Sequence, residues 1–340
     1  MPTIKDVAKE AGVSIATVSY VLNNKRTFYS EETRLLVLET IARIGYTPNV
    51  TARNLKASQT RLIGYAWHEV PYGQVNSVLD YFTYSLAQAA EAAGYHMLTF
   101  THPLEDPVPV YQELIRTQRV DGFVLAGTVA DDHRIRFLLD EGFPFVSFGR
   151  SNEDWDFDWV DTDGQQGVRE AVEHLLHLGH QRIAMAAWPE ESVSGGYRVQ
   201  GYIEALQNAG IAIRPDYILR GIHSEAFGRE ALAYWLQLPE AEQPTAVVAV
   251  SDLIAIGVMN EARQRGLVIG ESLAVIGFDD APMGQYLTPS LSTVQQPIAE
   301  IGRELIARLE TVLSKREPEH GQLLLPPRLI LRDSCGVVCG

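Results

Sequence analysis

The chain is short of cysteine, of positive charge and of long apolar runs, and each shortage removes a class of function. Two cysteines occur in 340 residues, Cys335 and Cys339, too few for a four-ligand structural zinc site and, in a reducing compartment, not expected to pair. They read as tail thiols without a role. No stretch approaches the roughly 18 apolar residues of a membrane helix, and no apolar segment follows a basic one to mark a leader. A soluble, cytoplasmic chain with no membrane partner is therefore expected. Also missing are a glycine-rich phosphate loop, a His-Glu-x-x-His pair and a nucleophile elbow. The chain is not read as an enzyme, and no catalytic residue, cofactor or metal site is expected. Ser194-Gly-Gly196 reads as an ordinary helix start, and His177 and His180 as solvent-facing partners of a helix dipole.

Positive charge, scarce overall at 28 basic against 43 acidic side chains and a net charge of −15, concentrates at one end. Residues 1–60 carry eight basic and five acidic groups, a balance of +3 that leaves −18 on the rest. An acidic body would keep DNA from sticking anywhere but the head, although acidic surface serving solubility fits the same counts. Thr3, with Asp6 three positions on, and Ser14, just after Gly12, each begin a helix. Val7, Ala8, Val13, Val18, Val21 and Leu22 fall at helical spacing as a small shared core. Ile15, Ala16, Thr17, Ser19 and Tyr20 are left near the start or outer face of the second helix, which a helix-turn-helix offers to the major groove. A third amphipathic segment, capped by Ser30, runs from Glu31 to about Ile44, with Leu35, Leu38, Ile41 and Ala42 facing inward and Gly45 ending it. Any small helical bundle would share these signals. After it, Pro48 and Asn49 open barely two turns of helix carrying Leu55 on a polar surface, marginal alone in water.

These residues resemble the lactose-repressor/galactose-repressor (LacI/GalR) family of bacterial transcription regulators. The resemblance is carried by Ile4-Lys-Asp-Val-Ala8, Ala11-Gly-Val-Ser14, Thr17-Val-Ser-Tyr-Val-Leu-Asn23, Gly45-Tyr-Thr-Pro-Asn49 and Ala52-Arg-Asn-Leu55. It implies that Asn49–Lys56 folds into a hinge helix on the operator, pairs with its twin and wedges Leu55 into the minor groove. The expected DNA contacts are Thr3, Ser14, Ile15, Ala16, Thr17, Ser19, Tyr20, Asn23, Ser30 and Thr33 in the head, and Asn49, Ala52, Leu55 and Lys56 in the hinge. Tyr20 stands where the family usually has Arg, so a bidentate contact to guanine is lost and an altered base preference is expected there.

From Arg61 onward, short apolar runs alternate with helical patterns. Candidate strands are Leu62–Trp67, His96–Phe100, Gly122–Ala126, Phe145–Phe148, Arg182–Ala187, Ala246–Val250 and Leu273–Phe278. Candidate helices are Ser77–Ala93, Val110–Thr117, Arg134–Glu141, Gly164–Leu178, Tyr197–Ala209, Phe227–Leu236 and Leu253–Arg265. Alternation of this kind predicts parallel sheets covered on both faces, here in two rounds with a seam near Trp159–Gly164. The resemblance continues through Glu173-His-Leu-Leu-His-Leu-Gly-His180, Arg198-Val-Gln-Gly201, Val250-Ser-Asp252, Val275-Ile-Gly-Phe-Asp-Asp280 and Leu291-Ser-Thr-Val-Gln-Gln-Pro297. It implies a two-lobed α/β periplasmic-binding-protein-like core, the chain crossing between lobes near residues 160, 292 and 320. The expected division is a small all-α head at 1–47, hinge and linker at 48–60, a core at 61–332 and a flexible tail at 333–340. Within the core, the N-lobe takes about 61–160 and 293–320, and the C-lobe about 163–291 and 321–332.

A ligand in such a fold sits beyond the carboxyl ends of the strands, between the lobes. Matching motifs residue by residue, the resemblance puts Tyr72, Gln166, Arg198, His223, Ser251 and Asp279 at effector-contacting positions. Asp163, after the seam, is a further candidate that serves equally to hold the crossover turn. Trp67, His68 and Tyr72, then Trp155, Phe157 and Trp159, add flat faces which, with paired carboxylate and guanidinium groups, suit a sugar. A purine or nucleoside corepressor is the alternative ligand. An alternative of another class is a sugar-binding or sugar-modifying protein whose N-terminal bundle serves assembly only. The main expectation is a homodimeric repressor on a pseudo-palindromic operator, with effector and DNA altering each other's affinity. Without leucine heptads after Leu331, no tail-built tetramer is expected.

Overall fold

A computed structural model describes residues 2–46, 59–67, 77–103, 105–314 and 321–336. Chain contacts divide it into two units, Met1–Thr60 and Arg61–Gly340. Asn49, Ala52, Leu55 and Lys56 of the hinge, and Tyr72, lie outside the described residues.

The first unit holds α1 (Ile4–Glu10), α2 (Ile15–Leu22) and α3 (Glu31–Ile44). Asp6 accepts from the Thr3 backbone N–H at 2.8 Å, while Ser14 and Ser30 accept from the N–H groups of Thr17 and Thr33 at 3.0 and 3.2 Å. Each bond satisfies a donor at a helix end. The core is Val7, Ala8, Ala11, Val18, Val21 and Val37, with Val13 and Leu22 half-buried around it. On α3 the expected inner face is wrong in part, because Leu35, Leu38 and Ala42 are exposed. Val37 and Thr40 are buried instead, with Ile41 and Ile44 half-buried, a spacing that lines one side of a 3.6-residue helix.

The second unit contains two six-stranded sheets. Its first half supplies β1 (Leu62–Ala66), α4 (Ser77–Ala92), β2 (His96–Phe100), α5 (Val108–Arg116), β3 (Gly122–Leu125), α6 (His133–Glu141), β4 (Phe145–Phe148) and β5 (Trp159–Thr162). The chain continues through α7 (Gly164–His177), β6 (Ile183–Ala187), α8 (Val193–Asn208), β7 (Ile218–Arg220), α9 (Glu225–Trp235), β8 (Ala246–Ala249), α10 (Asp252–Gln264) and β9 (Ala274–Asp279). It closes with β10 (Ser292–Gln295), α11 (Ile298–Leu313), β11 (Gln322–Leu325) and β12 (Arg328–Ile330). The N-lobe sheet runs β11-β5-β4-β3-β1-β2, all parallel. The C-lobe sheet runs β12-β10-β9-β8-β6-β7, parallel except where β12 meets β10.

The lobe boundaries move accordingly. β10 belongs to the C-lobe and β11 to the N-lobe, so the chain crosses at residues 163, 296–297 and 326–327 rather than near 160, 292 and 320. β10 escaped notice because Ser-Thr-Val-Gln is not an apolar run. Its buried hydroxyls are satisfied inside the sheet, Ser292 donating to the Arg332 carbonyl at 3.0 Å and Thr293 to Asp252 at 2.5 Å.

The tail also differs from expectation. Asp333–Cys335 forms a helical turn whose Ser334 donates to the Val275 carbonyl at 2.7 Å, and Cys335 is buried in the C-lobe core. His180 is half-buried against the Thr245 hydroxyl at 2.9 Å rather than solvent-facing.

Helices pair tightly over the C-lobe where glycine removes a side chain. A Cβ on Gly201 of α8 would stand 2.1 Å from the Gln165 carbonyl of α7, and Gly228 and Gly257 bring α9 onto α10 in the same way. These contacts fix α8, and with it the position of Arg198.

Candidate effector and DNA sites

The carboxyl ends of the C-lobe strands gather a polar cluster on an apolar floor. Asp279 ends β9, Trp188 directly follows β6, His223 lies just after β7, and Arg198 sits on the first turns of α8. The Arg198 guanidinium carbon lies 3.6 Å from the Phe278 ring centre and 4.8 Å from that of Trp188, and Nη1 donates to the Val250 carbonyl at 2.5 Å. Among the described residues no carboxylate comes within ion-pair distance of it, and its Nε is buried without a partner. Burial therefore works against its charge, countered by the field of Asp279, then Asp161 and Asp252.

The acidic groups respond in kind. Burial lifts the Asp279 carboxyl to about 6, although Arg198 and a 2.7 Å hydrogen bond from Gln296 pull it back. Burial, then the Asp279 charge, raises Asp252 well above the carboxylate range, and its two oxygens accept from Thr293 and the Ala281 N–H. Burial and the nearby Arg198 charge push the His223 imidazole down to about 4, so it is neutral near pH 7. A site with one fixed guanidinium, an acceptor carboxylate, neutral imidazole and indole can clasp adjacent hydroxyls by donating to one and accepting from the next.

The crossing segments tie this cluster to the lobe boundary. Gln296, between β10 and α11, donates to Asp279 and accepts from the Thr162 hydroxyl at 2.8 Å, so the Asp279 carboxylate and two crossings share one hydrogen-bonded chain. On the N-lobe side Arg150 holds Asp161 at 2.9 Å and lies 3.4 Å from the Tyr197 ring centre of α8, while the Tyr197 hydroxyl donates to Glu153 at 2.9 Å.

In the head, Ser14, Ile15, Ala16 and Asn23 are exposed, and Thr17, Ser19 and Tyr20 half-buried. Ile15 is exposed to 44%, too much for a core residue at the start of a helix. The Tyr20 ring stacks on Phe28 at 4.6 Å, which fixes its direction. Thr3, Ser30 and Thr33 all take part in helix caps, at the ends of α1 and α3.

Residues 3–49 match the model of bacterial regulatory proteins, lacI family, and residues 172–335 match a periplasmic binding protein-like domain. Over 98% of its length the chain is 32% identical to the probable HTH-type transcriptional repressor ExuR of Bacillus subtilis (strain 168), covering 98% of that protein. The chain belongs to the lacI family of bacterial regulatory proteins. Among solved structures, a LacI-family regulatory protein from Chloroflexus aggregans is 50% identical with a TM-score of 0.78, over 82% of this chain and 99% of that one. The lac repressor dimer bound to operator and the anti-inducer ONPF is 27% identical with a TM-score of 0.83, over 99% of each. The complex of the regulator CelR with cellobiose is 29% identical with a TM-score of 0.75, over 98% of this chain and 100% of that one.

As a family member, the chain is a transcription regulator with a DNA-reading head and a two-lobed core, and the assembly-only alternative for the head falls away. Of the sequence-predicted effector residues, Arg198, His223 and Asp279 come together at the strand ends. Ser251 is fully buried and caps α10, accepting from the Ile254 N–H at 3.4 Å. Asp163 caps α7 through the Gln166 N–H at 2.9 Å, and the Gln166 side chain donates to Glu170 at 2.8 Å. Those three residues serve their own helix. Of the aromatic groups, Phe157 is buried and packs on Phe145, and Trp155 lies under Arg136, so both belong to packing. The structure adds Trp188, Gln296 and Asp161 to this cluster, none of which the sequence reading named for the site. Only Trp188 carried a local signal, a large aromatic placed directly after an apolar strand.

Proposed function

We propose that this lacI-family chain is a homodimeric, cytoplasmic repressor whose operator affinity is set by an uncharged sugar held at the C-lobe strand ends. The observation that carries the ligand reading is the buried Arg198 guanidinium beside the Asp279 acceptor, with donors left unpartnered around it. Cellobiose in the related CelR adds support for carbohydrate, and the operator-bound dimer of lac repressor supports a two-fold protein reading two half-sites. In this reading the outer face of α2, from Ser14 to Tyr20 with Asn23, meets base edges. Thr3, Ser30 and Thr33 contact phosphates, and Asn49, Ala52, Leu55 and Lys56 serve in the hinge. Nothing in the reading calls for a catalytic step.

Binding of the full chain to a randomised operator library, followed by anisotropy as salt rises, tests the DNA half. A steep fall with salt and loss of specific binding in Leu55→Ala are expected. Selected half-sites should differ from the family's at the base pair facing Tyr20, and Tyr20→Arg should restore guanine there with a discrimination of about 1–3 kcal/mol. Adding a neutral sugar that stabilises the protein should weaken operator binding; strengthened binding would make it a corepressor instead. Adenosine or hypoxanthine stabilising the protein in place of every sugar would favour the purine reading.

A further inference from the structure

Three buried nitrogen atoms on the C-lobe wall lack a hydrogen-bond partner among the described residues: Trp188 Nε1, Arg198 Nε and His223 Nδ1. They form one cluster. The Trp188 ring centre lies 4.8 Å from the Arg198 guanidinium carbon and 5.8 Å from the His223 ring, which it meets edge to face. A buried polar atom left unpaired is costly, and the other three such atoms among the described residues, on His102, Tyr111 and Arg308, all lie in the N-lobe, so the whole C-lobe share falls in this one cluster.

Arg198 and His223 are effector positions that the family resemblance implies, whereas Trp188 joins the cluster only in the folded structure and lies outside every motif that carried the resemblance. Its backbone is well held. The Trp188 carbonyl accepts from Arg220 Nη1 at 3.0 Å, and a Cβ on Gly195 would stand 3.1 Å from the Trp188 Cβ, so the first turn of α8 closes against it. Packing and backbone thus fix the indole, and only its N–H is unaccounted for.

We infer that Trp188 is a ligand-contacting, specificity-determining residue whose indole N–H donates to an oxygen acceptor of an uncharged sugar, beside acceptor positions served by Arg198 and His223. The inference rests on the carbohydrate reading of the cleft. The acceptor is a hydroxyl or ring oxygen and not a carboxylate, because the acidic groups Asp279, at the end of β9, and Asp161, on β5, already set a negative field around Arg198. An added anion would meet that negative field, whereas a hydroxyl accepts from Trp188 and donates onward to a carboxylate such as Asp279. An indole also presents a flat apolar edge to a sugar's C–H groups, which imidazole alone does not.

The test uses the full-length protein with D-glucose, D-galactose, cellobiose, D-galacturonate and adenosine as probes, read by thermal shift and titration calorimetry. Trp188→Phe keeps a ring against Arg198 and removes the N–H. The expected result is a neutral sugar that binds the wild-type protein and binds Trp188→Phe about tenfold or more weakly, with the ligand-free melting temperature unchanged. A second readout needs no variant that binds. In the nitrogen-15 spectrum of the wild-type protein, the indole signal absent from Trp188→Phe should shift when that sugar is added. Equal affinity in the two proteins, or an indole signal that stays in place, overturns the role of Trp188 and leaves the carbohydrate reading standing. A panel in which no neutral sugar binds the wild-type protein overturns both.

Discussion

The two lobes share a doubly wound plan yet treat charge at their strand ends in opposite ways. After β3 of the N-lobe, Arg134 is paired with Asp132 at 2.6 Å and also donates to the Ala126 and Gly127 carbonyls at 3.3 and 3.2 Å, all within the lobe. Burial alone would raise Asp132, but the Arg134 hydrogen bonds and charge hold it below its ordinary value. After β6 of the C-lobe, Arg198 on α8 has a single carbonyl, that of Val250, two aromatic faces and no ion pair among the described residues. One buried guanidinium has its needs met by its own lobe; the other keeps a buried Nε without a partner among the described residues, open to the ligand proposed above. That contrast separates a self-contained arginine from one with an open donor when both are nine-tenths buried or more.

The largest effect that would break the contrast is on stability. Arg134→Met leaves Asp132 buried without its partner and should cost about 3–5 kcal/mol in urea unfolding, part of it recovered by adding Asp132→Asn. Arg198→Met should cost no more than about 1.5 kcal/mol of stability, because a single hydrogen bond is lost. Its sugar affinity should fall about a hundredfold, since hydrogen bonds to a charged donor go with it. Equal stability losses for the two arginines would erase the distinction.

Asp279 sharpens it through pH. Its carboxyl is lifted to about 6, above its value in an unfolded chain, so folding favours the protonated form. The group therefore subtracts stability above pH 6, and that loss is recovered as pH falls from about 6 toward 4. Asp279→Asn should be more stable than the wild-type protein by about 2 kcal/mol at pH 7.5, with the difference gone near pH 4. A wild-type protein of equal or greater stability at pH 7.5 would mean that Arg198 meets Asp279 directly in solution. The smallest expected effect lies at the lobe boundary. Gln296→Leu removes the chain from Thr162 to Asp279 and should reduce the factor by which sugar alters operator affinity about threefold to tenfold, with sugar affinity changing less. An unchanged factor would take the crossing residues out of the communication.

Sequence alone was most informative where structure is local. The three helix caps of the head depend on a residue and its neighbours three positions on, and strands such as His96–Phe100 and Phe145–Phe148 are apolar runs bounded by turns. Reading failed where a strand is polar, as in β10, or only three residues long, as in β7 and β12, since neither length nor periodicity then separates strand from loop. It also missed α11, whose buried Ile298, Ile301, Leu305 and Leu309 do follow helical spacing. The inner face of α3 was misjudged because Leu and Val occur all round that helix, and only the partners α1 and α2 select one side.

The site divides along the same line. Motif resemblance marked Arg198, His223 and Asp279, and it also marked Ser251 and Gln166, whose polar groups the fold ties up within their own helices. By itself the sequence determined a capped helical head, an α/β body and the chemical types available at its strand ends. Tertiary structure alone decided which of those groups remain unpaired. Whether a buried donor finds an acceptor depends on chain segments brought together from far apart, and that leaves Trp188 and Arg198 open while it closes Arg134 and Asp280, the latter held by Arg332 at 2.6 Å.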